Sequence, residues 1–71
     1  MKIAVLGAGM VGRAMALDLA GKHEVSVYDQ NEHNLALLKL RNNNIHIFNV
    51  NLKEQDQFKV WFKHADLVLI A

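Results

Sequence analysis

The chain has 71 residues, no cysteine and a formal net charge of +1, and 52% of its residues are hydrophobic. That length holds one small domain at most, and the near-neutral charge gives no reason to expect a nucleic-acid or acidic-surface partner. No stretch reaches the roughly 20 apolar residues of a membrane span, and Arg13 and Asp18 interrupt the apolar start too early for a secretory leader.

A chain this short buries only about 60% of the surface its unfolded form exposes, and here no disulfide can compensate. The expectation is a piece of something larger or a homo-oligomer. Absence of cysteine fits a reducing, cytoplasmic compartment.

The elements follow one another regularly. Residues 2–6 (KIAVL) are short, apolar and β-branched, which predicts a buried strand. Residues 10–20 predict a helix with Val11, Ala14, Met15 and Leu19 on one side, Ala16 and Ala20 beside it, and Gly21 as its stop. Met10 and Met15 are read as core packing. Residues 24–28 (EVSVY) predict a second strand. Asn31 is a fair N-cap for a helix over 32–40 with Leu35, Ala36 and Leu38 inward. Asn42, Asn43 and Asn44 mark a turn before a third strand at 45–50. Asn51, with Glu54 three residues on, predicts the start of a third helix. Phe58, Trp61, Phe62 and Ala65 form its apolar face, and Lys53, Lys59 and Lys63 its solvated one. Residues 67–71 (LVLIA) predict a fourth strand.

The order β-α-β-α-β-α-β with short links predicts an α/β fold with a parallel sheet and right-handed crossovers. Gly7-Ala8-Gly9-Met10-Val11-Gly12 fits G-x-G-x-x-G between the first strand and the first helix. In that motif the first glycine allows the tight turn, the second lets a pyrophosphate approach the backbone, and the third lets the helix pack closely. The helix N-terminus then offers free N–H groups and a positive dipole end. Asp29 ends the second strand 22 residues after Gly7. An acidic residue there is placed to accept from the adenosine ribose hydroxyls. These signals predict part of a Rossmann-like, doubly wound sheet with strand order 3-2-1-4. Residues 1–71 would be the N-terminal part of the dinucleotide-binding domain, with its second half absent.

KIAVLGAGMVGRAMALDLA, VYDQNEHNLALL and ADLVLIA together resemble the N-terminal domain of the saccharopine dehydrogenase family, nearest to the L-lysine 6-dehydrogenase type. The more particular features are Leu17-Asp18-Leu19 and the run Asp29, Asn31, Asn34, Leu35. The resemblance implies NAD(P)-dependent oxidation of an amino acid's C–N bond, and a dimer built largely by a second domain absent here. It places Asn51 where relatives carry an Asp near the adenine. It also places Gln30 where many carry an Arg for a 2′-phosphate, which favours NAD over NADP. Ile70 and Ala71 would precede the loop on the nicotinamide side. Residues that bind the amino acid or move protons would lie past position 71, so no catalytic residue is assigned and the chain alone is expected to show no turnover.

The candidate cofactor residues are therefore Gly7, Ala8, Gly9, Met10, Val11, Gly12, Asp29, Gln30, Asn31 and Asn51. His23, His33, His46 and His64 lack metal-ligand spacing, and Ser26, the only serine, lies within a strand. The alternative from another class is an NAD-sensing domain like those of potassium-uptake regulators. Those usually follow the third strand with a Gly-Asp pair, where this chain has Asn49-Val50-Asn51.

Overall fold

Four short apolar runs pair side by side. In a computed structural model of residues 1–71, β1 (Lys2–Leu6), β2 (Glu24–Asp29), β3 (His46–Asn49) and β4 (Leu67–Ile70) form one parallel sheet in the order β3-β2-β1-β4. Helices α1 (Met10–Leu19), α2 (Glu32–Arg41) and α3 (Phe58–Trp61) fill the three crossovers. The register sets Val5 beside Val27 and Leu69, and Asp29 beside Asn49. The strands thus end together, and β1 lies between β2 and β4 where the strand order reverses.

Alternation along the strands gives the sheet two unlike faces. Ile3, Val5, Val25 and Val27 belong to the main core, with Ala8, Ala16, Leu35, Leu38 and Ile45, under α1 and α2. Burial of Leu35 and Leu38 stabilises the fold by roughly 1.5 to 3 kcal/mol each. On the other face Ala4, Leu6 and Tyr28 meet Phe58, Trp61, Phe62 and Ala65. Tyr28 stacks on Trp61 at 5.7 Å, and its hydroxyl donates to the Trp61 carbonyl at 3.1 Å. Burial pushes the Tyr28 phenol above its usual pKa.

Several local expectations are corrected. The inward side of α1 is set by Gly12 and Ala16, whereas Val11 and Ala14 are exposed. A count of apolar side chains gives no weight to glycine, yet Gly12 is where this helix presses on the Gly7 backbone. Gly21 is no left-handed cap: Ala20 keeps right-handed geometry, and Lys22 and His23 donate to the Leu19 carbonyl. In α2, Asn31 caps as expected, its side chain accepting from the Asn34 N–H at 3.0 Å. Ala36 faces solvent, because the buried stripe of this helix is only Leu35 and Leu38 wide.

The third helix is the largest departure. Asn51 does not start it. The Asn51 Oδ1 accepts from the Lys53 N–H two residues on, and its carbonyl accepts from Glu54, closing a turn. An Asn side chain that bonds the backbone so close by competes with helix initiation. A 3₁₀ turn over Gln55–Gln57 follows, and α3 proper has only four residues. Its apolar residues still cover the second face, and Lys53, Lys59 and Lys63 are exposed as expected. No helix is long and apolar enough to cross a membrane.

Candidate functional site

The glycine loop lies at the carboxyl ends of the strands, and its three glycines have different surroundings. Gly7 has φ +108°, a conformation L side chains rarely adopt. Its N–H donates to the Tyr28 carbonyl at 2.8 Å, which ties the turn to β2. A Cβ on Gly12 would drive into the Gly7 carbonyl and approach the Ala71 Cβ to 3.2 Å. Gly12 therefore seats α1 against the loop and the end of β4. Gly9 has an ordinary extended backbone, φ −70°, and a Cβ there would meet nothing within 4 Å. No part of the protein requires glycine at position 9. The space above it is open, as close approach of a ligand to the backbone demands.

Past Gly9, α1 begins with no side-chain cap and no acidic residue in its first turn. Its first hydrogen bond is Arg13 N–H to the Gly9 carbonyl. The N–H groups of Met10, Val11 and Gly12 precede that bond and are free of the helix ladder. The first turn of α1 supplies no acidic side chain to its positive dipole end, unlike α2, whose first turn holds Glu32. Met10, expected in the core, is 82% exposed. It stands at the helix start, at the rim of a cavity shared with Leu17, Leu37 and Leu40, where its side chain can cover a bound phosphate.

Asp29 faces the loop. Its Oδ2 accepts from the Ala8 N–H and its Oδ1 from the Asn31 N–H at 2.7 Å. The carboxylate thus ties the glycine loop to the start of α2. Each oxygen retains a further lone pair, which leaves capacity for vicinal hydroxyls. Gln30 and Asn31 are exposed between β2 and α2. Asn51 stands exposed past β3 with its Oδ1 taken by Lys53. Its amide NH2 can still donate.

Two contacts at this rim were not anticipated. Asn49 donates from Nδ2 to the Gln30 carbonyl at 3.1 Å, so the third strand holds the loop that follows Asp29. Its pairing beside Asp29 is the signal that could have found it. Arg13 donates from Nη1 to Asn34 Oδ1 at 3.0 Å, joining α1 to α2. No spacing rule links those residues. At the other end of the site, Ala71 donates its N–H to the Leu6 carbonyl, and its own carbonyl lies 3.0 Å from where a Gly7 Cβ would be. None of the three cavities on the molecule is lined by Gly7, Gly9 or Asp29. The loop is an open shelf between β1 and β4, the crevice where doubly wound sheets bind ligands. No three histidine, cysteine or acidic side chains gather to hold a metal ion.

Residues 3–71 match the family described as the saccharopine dehydrogenase NADP binding domain. The chain belongs to this family. Among solved structures, this saccharopine dehydrogenase-type domain is similar to a 3-hydroxyacyl-CoA dehydrogenase from Archaeoglobus fulgidus DSM 4304. The two share 29% identity and a TM-score of 0.72 over 99% of this chain, which spans 24% of the length of that enzyme. No curated protein matches. The Rossmann-like architecture, the oxidoreductase family and a nicotinamide dinucleotide as cofactor rest on these matches together with the sheet order. The residues of the shelf fit such a cofactor: an open approach at Gly9, free N–H groups at the start of α1, and an acid beside the loop.

Proposed function

We propose that this chain is the cofactor-binding part of an NAD(P)-dependent oxidoreductase that acts on the C–N bond of an amino acid, of the lysine 6-dehydrogenase type. The open space at Gly9 carries the reading, because it is a glycine the fold does not use. The family's name supports an amino-acid substrate. When bound, the nicotinamide would supply the hydride acceptor. The chain's own residues bind and orient. The Met10, Val11 and Gly12 N–H groups take the pyrophosphate, with Gly7 and Ala8 shaping the turn. Asp29 accepts from the adenosine ribose hydroxyls, flanked by Gln30 and Asn31. Asn51 donates to the adenine.

Asp29, with Gln30 rather than a cation after it, favours NAD over NADP. Residues 1–71 are read as the N-terminal part of the dinucleotide domain, with the rest of it and a substrate domain elsewhere in a longer cytoplasmic protein. The sensor alternative gains nothing from the family matched or from the archaeal enzyme, each of which is named for a dehydrogenase.

Calorimetric titration with NAD tests the binding step. The chain is expected to bind weakly and without turnover. Gly9→Val should abolish binding while the circular dichroism spectrum remains that of the folded chain, and unaltered affinity in that variant would overturn the assignment of the shelf. The substrate is tested in the longer protein by NADH formation from lysine and from saccharopine; activity with neither removes the amino-acid reading. The exposed apolar residues of edge strand β4, Leu67, Val68 and Ile70, favour self-association. Sedimentation at micromolar concentration should show dimer or larger species, and a single monomer would refute it.

A further inference from the structure

Arg13 is a half-buried cation without a counter-ion. The chain's one side-chain ion pair is His46–Glu24, at the far end of the sheet, so no carboxylate lies within 4.0 Å of the Arg13 guanidinium. Its Nη1 is held at 3.0 Å by a neutral acceptor, Asn34 Oδ1. Buried charges are ordinarily paired, and Arg13 is partly withdrawn from solvent. Four of the five guanidinium N–H groups remain for another acceptor.

The position of that acceptor can be traced through hydrogen bonds. Asp29 Oδ1 accepts from the Asn31 N–H at 2.7 Å, and Asn31 Oδ1 accepts from the Asn34 N–H at 3.0 Å. Asn34 Oδ1 then accepts from Arg13. Three hydrogen bonds, with the side chains of Asn31 and Asn34 between them, thus link the Asp29 carboxylate to the guanidinium across the start of α2. Gln30, Asn31 and Glu32 supply no cation between them.

We propose that Arg13 receives the 2′-phosphate of NADP, and so sets how far the chain admits the phosphorylated cofactor despite Asp29. The inference rests on the dinucleotide reading of the shelf. Asp29 accepts from a ribose hydroxyl and repels a phosphate in its place; Arg13, reaching over from the neighbouring helix, offsets that repulsion. The preference for NAD is then narrow. Arginine suits the role because its planar fork meets phosphate oxygens bidentately.

The test compares 2′,5′-ADP with 5′-AMP, which differ only in the 2′-phosphate, by titration calorimetry on the 71-residue chain. Arg13→Met should weaken 2′,5′-ADP about tenfold, as loss of a hydrogen bond to a charged group implies, and leave 5′-AMP unchanged. Arg13→Lys should recover part of the loss, and added salt should weaken 2′,5′-ADP more than 5′-AMP. Asn34→Ala breaks the same link between the helices but keeps the charge, so it should retain most of the affinity for 2′,5′-ADP. The proposal is overturned if Arg13→Met weakens both nucleotides equally, changes neither, or is matched by Asn34→Ala. If the unsubstituted chain binds neither nucleotide, the dinucleotide reading falls, and the role of Arg13 with it. Binding of 5′-AMP without 2′,5′-ADP defeats the Arg13 proposal alone.

Discussion

Gly12 and Gly9 stand three positions apart in one loop and answer to different demands. At Gly12 the protein fills all the space: a Cβ would strike the Gly7 carbonyl, and the end of β4 presses in from the side. At Gly9 the protein leaves the space empty, and the backbone angles suit any residue. One glycine is held by packing; the other, on the function proposed above, is kept for what approaches from outside. The motif joins two constraints, and only the second speaks of a ligand.

The largest expected effect breaks the packed end. Gly12→Val forces backbone against side chain, and no rotamer of the new residue relieves a clash made by its Cβ. Overpacking of this kind costs about 3 kcal/mol or more. A chain of this length has roughly 4 to 10 kcal/mol of stability in all, so the melting temperature should fall by about 12 °C or more, read by circular dichroism. A fall of only a degree or two would mean that α1 can lift off the loop, and the contrast between the two glycines would fail. The same measurement on Gly9→Val should show a loss of about 1 kcal/mol or less, that of an apolar residue at a helix N-cap.

The smallest effect sharpens the open end. Asp29→Ser removes the charge beside the 2′ position. Two unit charges about 4 Å apart repel by roughly 1 kcal/mol in water, about fivefold in affinity. The ratio of NADP to NAD affinity should rise by about that factor. The ratio is the quantity to measure, since Asp29 also tethers the Ala8 and Asn31 N–H groups and absolute affinity will change for that reason too. An unchanged ratio would leave Asp29 as a tether alone.

The strand runs, the glycine spacing and Asp29 could be read without the structure, because each is a local pattern whose meaning depends on near neighbours in the chain. The sheet order followed from them, since right-handed crossovers and a glycine loop after the first strand leave few arrangements. Met10 and Asn51 were harder. Met10 reads as core by composition, yet it stands largely exposed at the tip of α1. Asn51 has the spacing of a capping box with Glu54, but its side chain bonded the nearer N–H of Lys53.

What the sequence by itself determined is the alternation of strands and helices, the loop that turns from β1 into α1, and the acid that faces it. Each follows from hydrophobic period or backbone sterics within about twenty residues. Tertiary structure alone decided which side of α1 meets the sheet, which glycine is crowded and which is open, and that Arg13 meets Asn34, 21 residues away on another helix. Those outcomes depend on how closely two backbones approach. A glycine that permits the approach looks the same in the sequence as one that leaves room for a ligand.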